Sequence, residues 1–264
     1  EPMLPPDPLP LVQAVAGRYA GPFSDVVRAA VPPRHARAES SAVEPCTWSA
    51  DAAARDAGRW EDYGNGRALV RRLSSARAKT PIRAVWSLAP ARTWVDDAAS
   101  LVRAVLSQES GGVIVVVPDG SDAERCAAAF SDARQAGGLA VLTADQGPER
   151  RYREFLRILR GGVRLVVGTR GSVFAPVRDL RLIVVWDDGD DSLGDPQAPY
   201  WDARDVAALR SHVQGCDLVV GSPARSVVTQ QWCASGWARS VEPTREVVSS
   251  RAPVVRALAA EEIG

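Results

Sequence analysis

The chain has 264 residues, 46% of them hydrophobic and 24% charged, and its 32 basic residues balance 32 acidic ones. That is enough to bury a substantial core in one or two domains, and no apolar run approaches the ~20 residues a membrane helix needs. Cys46, Cys126, Cys216 and Cys233 are scattered without a Cys-x-x-Cys pair, which argues against both a disulfide framework and a structural zinc site within the chain. The first residues lack the basic-then-apolar order of a secretory signal, so a cytoplasmic location is expected. Because the chain begins at Glu1 and stops at Gly264 without an evident terminating element, it reads as a piece of a longer protein.

A proline-rich lead-in is followed by Leu9 to Ala20, whose Leu11, Val15 and Tyr19 recur at helical spacing. Ser24 is a candidate N-cap for a second helix, Asp25 to Ala30, which Pro32 and Pro33 end. Residues 34 to 47, including Ser40 and Ser41, read as a linker. Trp48, Trp60, Tyr63 and the Asn65 to Arg77 segment read as a small helical insert with aromatics for packing. From Ile82 the pattern becomes regular. Strands are expected at Ile82 to Leu88, Val113 to Val117, Leu139 to Thr143, Val163 to Val167, Leu182 to Trp186 and Leu218 to Gly221. Helices are expected between them at Val95 to Ser107, Ser121 to Gln135, Pro148 to Arg160, Trp201 to His212 and Ser226 to Ser235. Strands apolar at every residue, such as Val113 to Val117, are covered on both faces, which predicts an α/β fold with a mostly parallel sheet flanked by helices.

Leu182 to Trp186 runs into Asp187, Asp188, Asp190 and Asp191. In nucleotide-driven motors an acidic pair at such a strand end holds Mg²⁺ and activates the attacking water. The partner it requires is a glycine-rich loop ending in Lys-Ser or Lys-Thr. Lys79 is the only lysine, and no Gly-x-x-x-x-Gly-Lys surrounds it. Charge is also uneven: nine arginines fall between Arg150 and Arg181, whereas seven aspartates fall between Asp187 and Asp205. The basic stretch fits a track for a phosphate backbone or a solvated helix face equally well.

Several segments, in order, resemble the replication restart helicase family PriA (primosomal protein N′). Gly168-Thr169-Arg170-Gly171-Ser172-Val173-Phe174-Ala175-Pro176 is similar to its Gly-Thr-Arg-Ser-Ala-Leu-Phe-x-Pro signature, and Asp187 to Asp191 stands where it has Asp-Glu-Glu-His-Asp. Tyr200 to Ala207 looks like its Tyr-x-Ala-Arg-Asp-Leu-Ala segment, and Gly221 to Ser226 like Gly-Ser-Ala-Thr-Pro-Ser. Val116 to Asp119 resembles its Val-Pro-Glu motif, and Tyr19 to Pro32 the end of its DNA-binding region. The resemblance implies a RecA-like helicase lobe from residue 81 to 264, a small helical insert at 46–80, and a remnant of the DNA-binding region with its linker at 1–45. The second lobe and the zinc insertion are expected outside this chain, and zinc only there.

The departures fall on the ATP site. Where the phosphate loop belongs, the chain reads Ala89-Pro90-Ala91-Arg92-Thr93-Trp94. No glycine is present to reach positive φ, and Pro90 has no N–H. Asp188 replaces the water-polarising glutamate with a side chain one methylene shorter, and Gly189 and Asp190 replace Glu and His. Such joint erosion resembles the divergent branch of the family in high-GC Gram-positive bacteria.

Arg92 and Thr93 are therefore read as a relic of nucleotide binding. The acidic cluster is read first as a relic too, with a surviving Mg²⁺ site and a solvated strand end as the other readings. Gly168, Thr169, Arg170, Arg150 and Arg151 are candidate DNA contacts, with Arg170 foremost, and Phe174 is a core plug. Tyr200 and Trp201 are DNA-stacking or packing aromatics. His35 and His212 have no second ligand at metal spacing. The resemblance implies a degenerate, nucleoid-associated primosomal protein that binds forked or single-stranded DNA and recruits replication restart proteins, with no membrane partner, no ATP or Mg²⁺, and no catalysis in this chain. An active ATP-dependent 3′-to-5′ DNA helicase with an atypical phosphate site is the alternative, and a metal-dependent nuclease or phosphohydrolase using Asp187 and Asp190 is the third.

Overall fold

The computed structural model describes residues 8–39, 43, 46, 48, 49 and 57–253. The lead-in before Pro8, Ser40 and Ser41 of the expected linker, and Glu261 to Gly264 lie outside them. Strands β1 (Arg83–Ser87), β2 (Gly112–Val116), β3 (Leu139–Leu142), β4 (Leu165–Gly168), β5 (Leu180–Trp186), β6 (Asp217–Ser222) and β7 (Arg239–Val241) form one seven-stranded sheet in the order β3-β4-β2-β5-β6-β1-β7. Every pairing is parallel. This is the α/β fold with a parallel sheet flanked by helices that the apolar strands predicted.

Alternation along the strands builds two core layers. Val113, Val115, Leu182, Val184 and Trp186 face one layer, with Trp60, Leu69, Leu73, Leu101, Val105 and Phe130. Ile114, Val116, Ile183 and Val185 face the other, with Leu11, Val15, Val26, Phe174, Trp201 and Val206. Helices α4 (Gly66–Leu73), α5 (Trp94–Leu106), α6 (Gly120–Ala128) and α7 (Ser131–Gln135) supply the first layer. The second is covered by α1 (Leu9–Arg18), α2 (Phe23–Ala30) and α9 (Ala203–Gln214). Between these, α3 (Ala36–Glu39) packs on α8 (Pro148–Leu159), burying Ala38 against Tyr152, Phe155 and Leu156. α10 (Val227–Ala234) and α11 (Arg245–Arg251) complete the described α-helices.

Some expectations need correction. The second helix begins at Phe23 after Pro22, so Ser24 lies inside its first turn and donates to Asp25 (3.4 Å) rather than capping. Residues 36–39 of the expected linker are helical, because Ala38 finds an apolar seat on α8. The single helix expected from Ser121 to Gln135 is interrupted at Ala129 and Phe130, and the break places Phe130 fully in the core. Asp202 caps α9, its carboxylate accepting from the Arg204 and Asp205 amides (2.8 and 3.4 Å), so Tyr200 and Trp201 precede that helix rather than begin it. β7 and α11 were not foreseen: β7 buries only Val241 and α11 buries nothing, so neither carries a readable apolar pattern.

Candidate functional site

Ligands of a doubly covered parallel sheet bind beyond the carboxyl ends of the strands. Asp187 and Asp188 emerge at that edge, as expected. The Asp187 amide donates to the Gly221 carbonyl (2.7 Å) and the Leu88 amide to the Ser222 carbonyl (2.9 Å), so the ends of β5, β6 and β1 meet in one row.

The Ala89 to Trp94 stretch is packed against aromatic side chains. Trp94, the first residue of α5, stacks on Trp186 with centroids 4.9 Å apart and an interplanar angle of 10°. Trp186 also meets Trp86, which meets Trp60. Gly221 is required for this arrangement, since a Cβ there would sit 2.3 Å from the Trp86 ring. Polar groups lock the remainder. The Ala89 amide donates to the Tyr63 hydroxyl (3.1 Å), which donates to the fully buried Asp97 (2.5 Å). Arg92 donates to Asp62 and to the Arg59 carbonyl (2.8 Å), and both Arg92 and Arg59 lie in ion-pair range of Asp97, at 3.6 and 3.4 Å. Burial pushes the Asp97 carboxyl above the usual range, and the Tyr63 hydrogen bond and the two arginines oppose that. The Thr93 hydroxyl donates to Asp96 (2.6 Å). Arg92 and Thr93 are thus committed to protein partners, and Trp60 and Tyr63 pack in the core as expected for the insert.

The acidic box divides. Asp188 is buried, and its Oδ2 accepts from the Thr229 hydroxyl (2.7 Å) and the Ser226 amide (3.3 Å), tying β5 to the start of α10. Its carbonyl accepts from Arg204 (2.9 Å). Asp187 is half-buried at positive φ (57°), and burial followed by the neighbouring charges of Asp190 and Asp188 raises its pKa. Asp190 accepts from the Ser192 amide (2.8 Å), and hydrogen bonding by the Ser192 side chain, then its backbone, lowers its own. Asp191 is exposed. Among the described residues, no group of three or more His, Cys, Asp or Glu is placed to hold a metal ion.

A second region at the same edge is open. A cleft of about 310 Å³ lies among α2, the ends of β3 and β4, α8 and the loop before Trp201; Arg28, Arg151, Thr169, Arg170, Ser172 and Asp195 are among its lining residues. Gly168 is there for packing: a Cβ would lie 2.1 Å from the Leu142 carbonyl oxygen, so only glycine lets β4 turn so close to β3. Thr169 then donates its amide to Leu142 (2.9 Å). The fully buried Arg210 holds the turn from beneath, donating to the carbonyls of Val173 (2.5 Å) and Ala175 (3.0 Å), and desolvation lowers its pKa to about 10.

Of the residues expected to contact DNA, the cleft gathers Thr169, Arg170, Arg151 and Trp201. Trp201 is only 2% exposed and packs edge-on to Phe174 (5.0 Å), so it belongs to the core; Phe174 is the plug that was expected. Tyr200, 67% exposed, and Arg150, also exposed, lie outside the cleft lining. The basic stretch as a whole is not a free cationic face. Arg157, Arg164, Arg178 and Arg181 donate to backbone carbonyls, and Arg153 and Arg181 also pair with Glu149 and Asp217. Sequence reasoning missed Arg28, Ser172 and Asp195 at the cleft and Asp97 at the plug. Only an exposed arginine in a helix beside the recognised turn could have hinted at the first.

No family model matches the chain. The chain is 42% identical over 262 residues to the Probable replication restart protein PriA of Mycobacterium tuberculosis (strain CDC 1551 / Oshkosh), a match covering 98% of this chain and 39% of that protein. With the Replication restart protein PriA of Bacillus subtilis (strain 168) it shares 32% identity over 109 residues, 41% of this chain and 13% of that one. The chain therefore spans about two fifths of the length of the mycobacterial relatives it matches. Among solved structures, the Pyrococcus furiosus Hef helicase domain aligns with 72% of this chain and 40% of its own at 13% identity and a TM-score of 0.47, a likeness too distant to carry function. Among the described residues no helix is long and apolar enough to cross a membrane.

Proposed function

We propose, on the premise that this chain is PriA-like over nearly its whole length, that it serves replication restart as a DNA-binding and partner-recruiting lobe that does not turn over ATP. Forked or single-stranded DNA and other replication restart proteins are its partners in this reading, at the nucleoid in the cytoplasm. The observation that carries it is the filled nucleotide end: Trp94 stacked on Trp186, and Arg92 drawn onto Asp62 and Asp97, in the place of a phosphate nest. A triphosphate needs backbone N–H groups and a cation aimed at its oxygens. Here the Ala89 amide is taken by Tyr63, Arg92 is paired with Asp62 and Asp97, and the Trp94 ring is stacked on Trp186.

Calorimetric and thermal-shift titration with Mg-ATP tests this reading. A ligand at a hundredfold its dissociation constant stabilises the fold by about 2.7 kcal/mol, so bound nucleotide would be conspicuous. No saturable response is expected. A micromolar dissociation constant would overturn the reading and restore the helicase alternative.

A further inference from the structure

Helix α11 is seven residues long and buries none of them. Isolated helices shorter than about 12–15 residues are marginal in water, so α11 depends on what holds its ends. One residue holds both. The Asp62 carbonyl accepts from the Thr244 amide (2.8 Å) just before the helix, and the Asp62 carboxylate accepts from Arg251 at its last position (2.7 and 3.3 Å). Between the two ends, Val247 rests partly buried on the first core layer, and Val248 is 39% exposed.

The segment before α11 is anchored far more firmly. β7 pairs with β1, and its outer side is closed by the insert. There the Asn65 side-chain amide donates to the Ser240 carbonyl (3.1 Å), the Gly64 amide to the Glu242 carbonyl (2.8 Å), and Tyr63 is bridged to Pro243. The insert is itself fixed, since Trp60 and Tyr63 are buried in the core. A firm base thus runs as far as Pro243, and a helix with a single latch follows it. That latch touches a second group. The Asp62 Oδ2 that receives Arg251 also receives Arg92, so the last turn of α11 and the Arg92 guanidinium meet on one oxygen. Arg92 is 13% exposed, whereas the side chains of the latch pair, Arg251 and Asp62, are 37% and 18% exposed.

We infer that α11 is a lid on the Arg92 end of the sheet, latched through Arg251 to Asp62, and that it lifts while β7 and the insert stay in place. Local opening of this kind costs far less than global unfolding. A partly exposed ion pair is screened by dissolved salt, so ionic strength sets how often the lid lifts and Arg92 meets solvent. The inference is independent of whether nucleotide binds at that end, and adds to it a cover that opens.

Amide hydrogen exchange of the 264-residue chain, read by peptide mass, tests the latch, with thermal unfolding to verify the fold of each variant. Arg251→Ala should speed exchange in α11 by up to about fivefold, the scale of an exposed ion pair released, and Arg251→Lys should restore most of the protection. Added salt should speed α11 in the wild type but not in Arg251→Ala. The amides of Leu180 to Trp186 should keep their rates throughout. Phenylglyoxal, which labels accessible guanidinium groups, tests the cover: modification of Arg92 should rise in Arg251→Ala in step with exchange in α11. If α11 exchanges alike in the wild type and Arg251→Ala, Asp62 is no latch and the inference fails. If the strands speed up together with α11, the helix belongs to the global fold and is not a lid. If α11 opens while Arg92 labelling stays at the wild-type level, the helix covers nothing.

Discussion

Two regions lie beyond the carboxyl ends of one parallel sheet, and they have been used in opposite ways. At the ends of β1 and β5, Trp94, Trp186 and Trp86 close the space with indole rings, and Asp97 lies buried between Arg59 and Arg92. At the ends of β3 and β4, a glycine forced by a 2.1 Å approach makes a tight turn, and the space in front of it stays open and lined with arginine. Topology supplies a ligand-facing edge to both. Side-chain volume and the partners of the arginines set the two regions apart.

The sharpest way to break this contrast is to remove an indole. Trp186→Ala should cost about 3–5 kcal/mol, since the ring is buried against two others, whereas Arg151→Ala at the open cleft should stay within about 0.5 kcal/mol. Urea unfolding of the two variants measures the difference, and equal costs would mean the plug is loosely packed. Next in size is Asp97→Ala, which leaves the Tyr63 hydroxyl without its acceptor and two arginines without the carboxylate they pair with. About 3 kcal/mol is expected, the lower end for breaking a buried pair because both arginines keep some solvent contact.

Within the acidic box the same contrast appears between neighbours. Asp188→Ala should cost about 1–2 kcal/mol by freeing Thr229 and the Ser226 amide. Asp187→Asn should change stability by under about 0.5 kcal/mol, because it relieves like-charge crowding at a half-buried position. Neither should weaken DNA binding, since carboxylates repel phosphate. A large loss of binding from either, with the fold intact, would give the box a direct role.

The smallest effect belongs to the buttress of the open side, where Glu39 receives hydrogen bonds from Arg34 (2.7 Å) and from Tyr152 of α8 (2.9 Å). These donors hold its carboxyl down at about 2. A depressed carboxyl adds stability above its unfolded pKa and loses it as pH falls through the folded value. The melting temperatures of wild type and Glu39→Gln should therefore differ near neutrality and converge as pH falls towards about 2. A constant gap would show that Glu39 contributes by packing alone.

The sheet could be read from the sequence because five consecutive apolar β-formers such as Val113 to Val117 suit only a doubly covered strand. The turn at Gly168 could be located by its motif. Its reason could not, because the contact with Leu142 joins residues from two strands whose spacing no local pattern encodes. Pro90 and the lack of glycine around it were visible in the sequence, yet what packs there was not: Tyr63, Asp62 and Arg59 come from an insert that composition marks only as aromatic and charged. The basic stretch was misleading for the same reason. Most of its arginines are engaged by carbonyls and acids elsewhere in the fold, and Arg28, which faces the cleft with them, lies more than a hundred residues upstream.

The strand order also carries a consequence for how the chain acquires its shape. β2, β3, β4 and β5 follow one another closely and pair among themselves, whereas β1 has only β6 and β7 as neighbours. During synthesis, Arg83 to Ser87 must wait without a hydrogen-bonded partner until Asp217 to Ser222 emerges. Closing so wide an interval is entropically slow. The tryptophan-packed region is thus the last to form, and until then the rings of Trp86 and Trp186 are exposed at an unfinished edge, where association with other chains competes with folding.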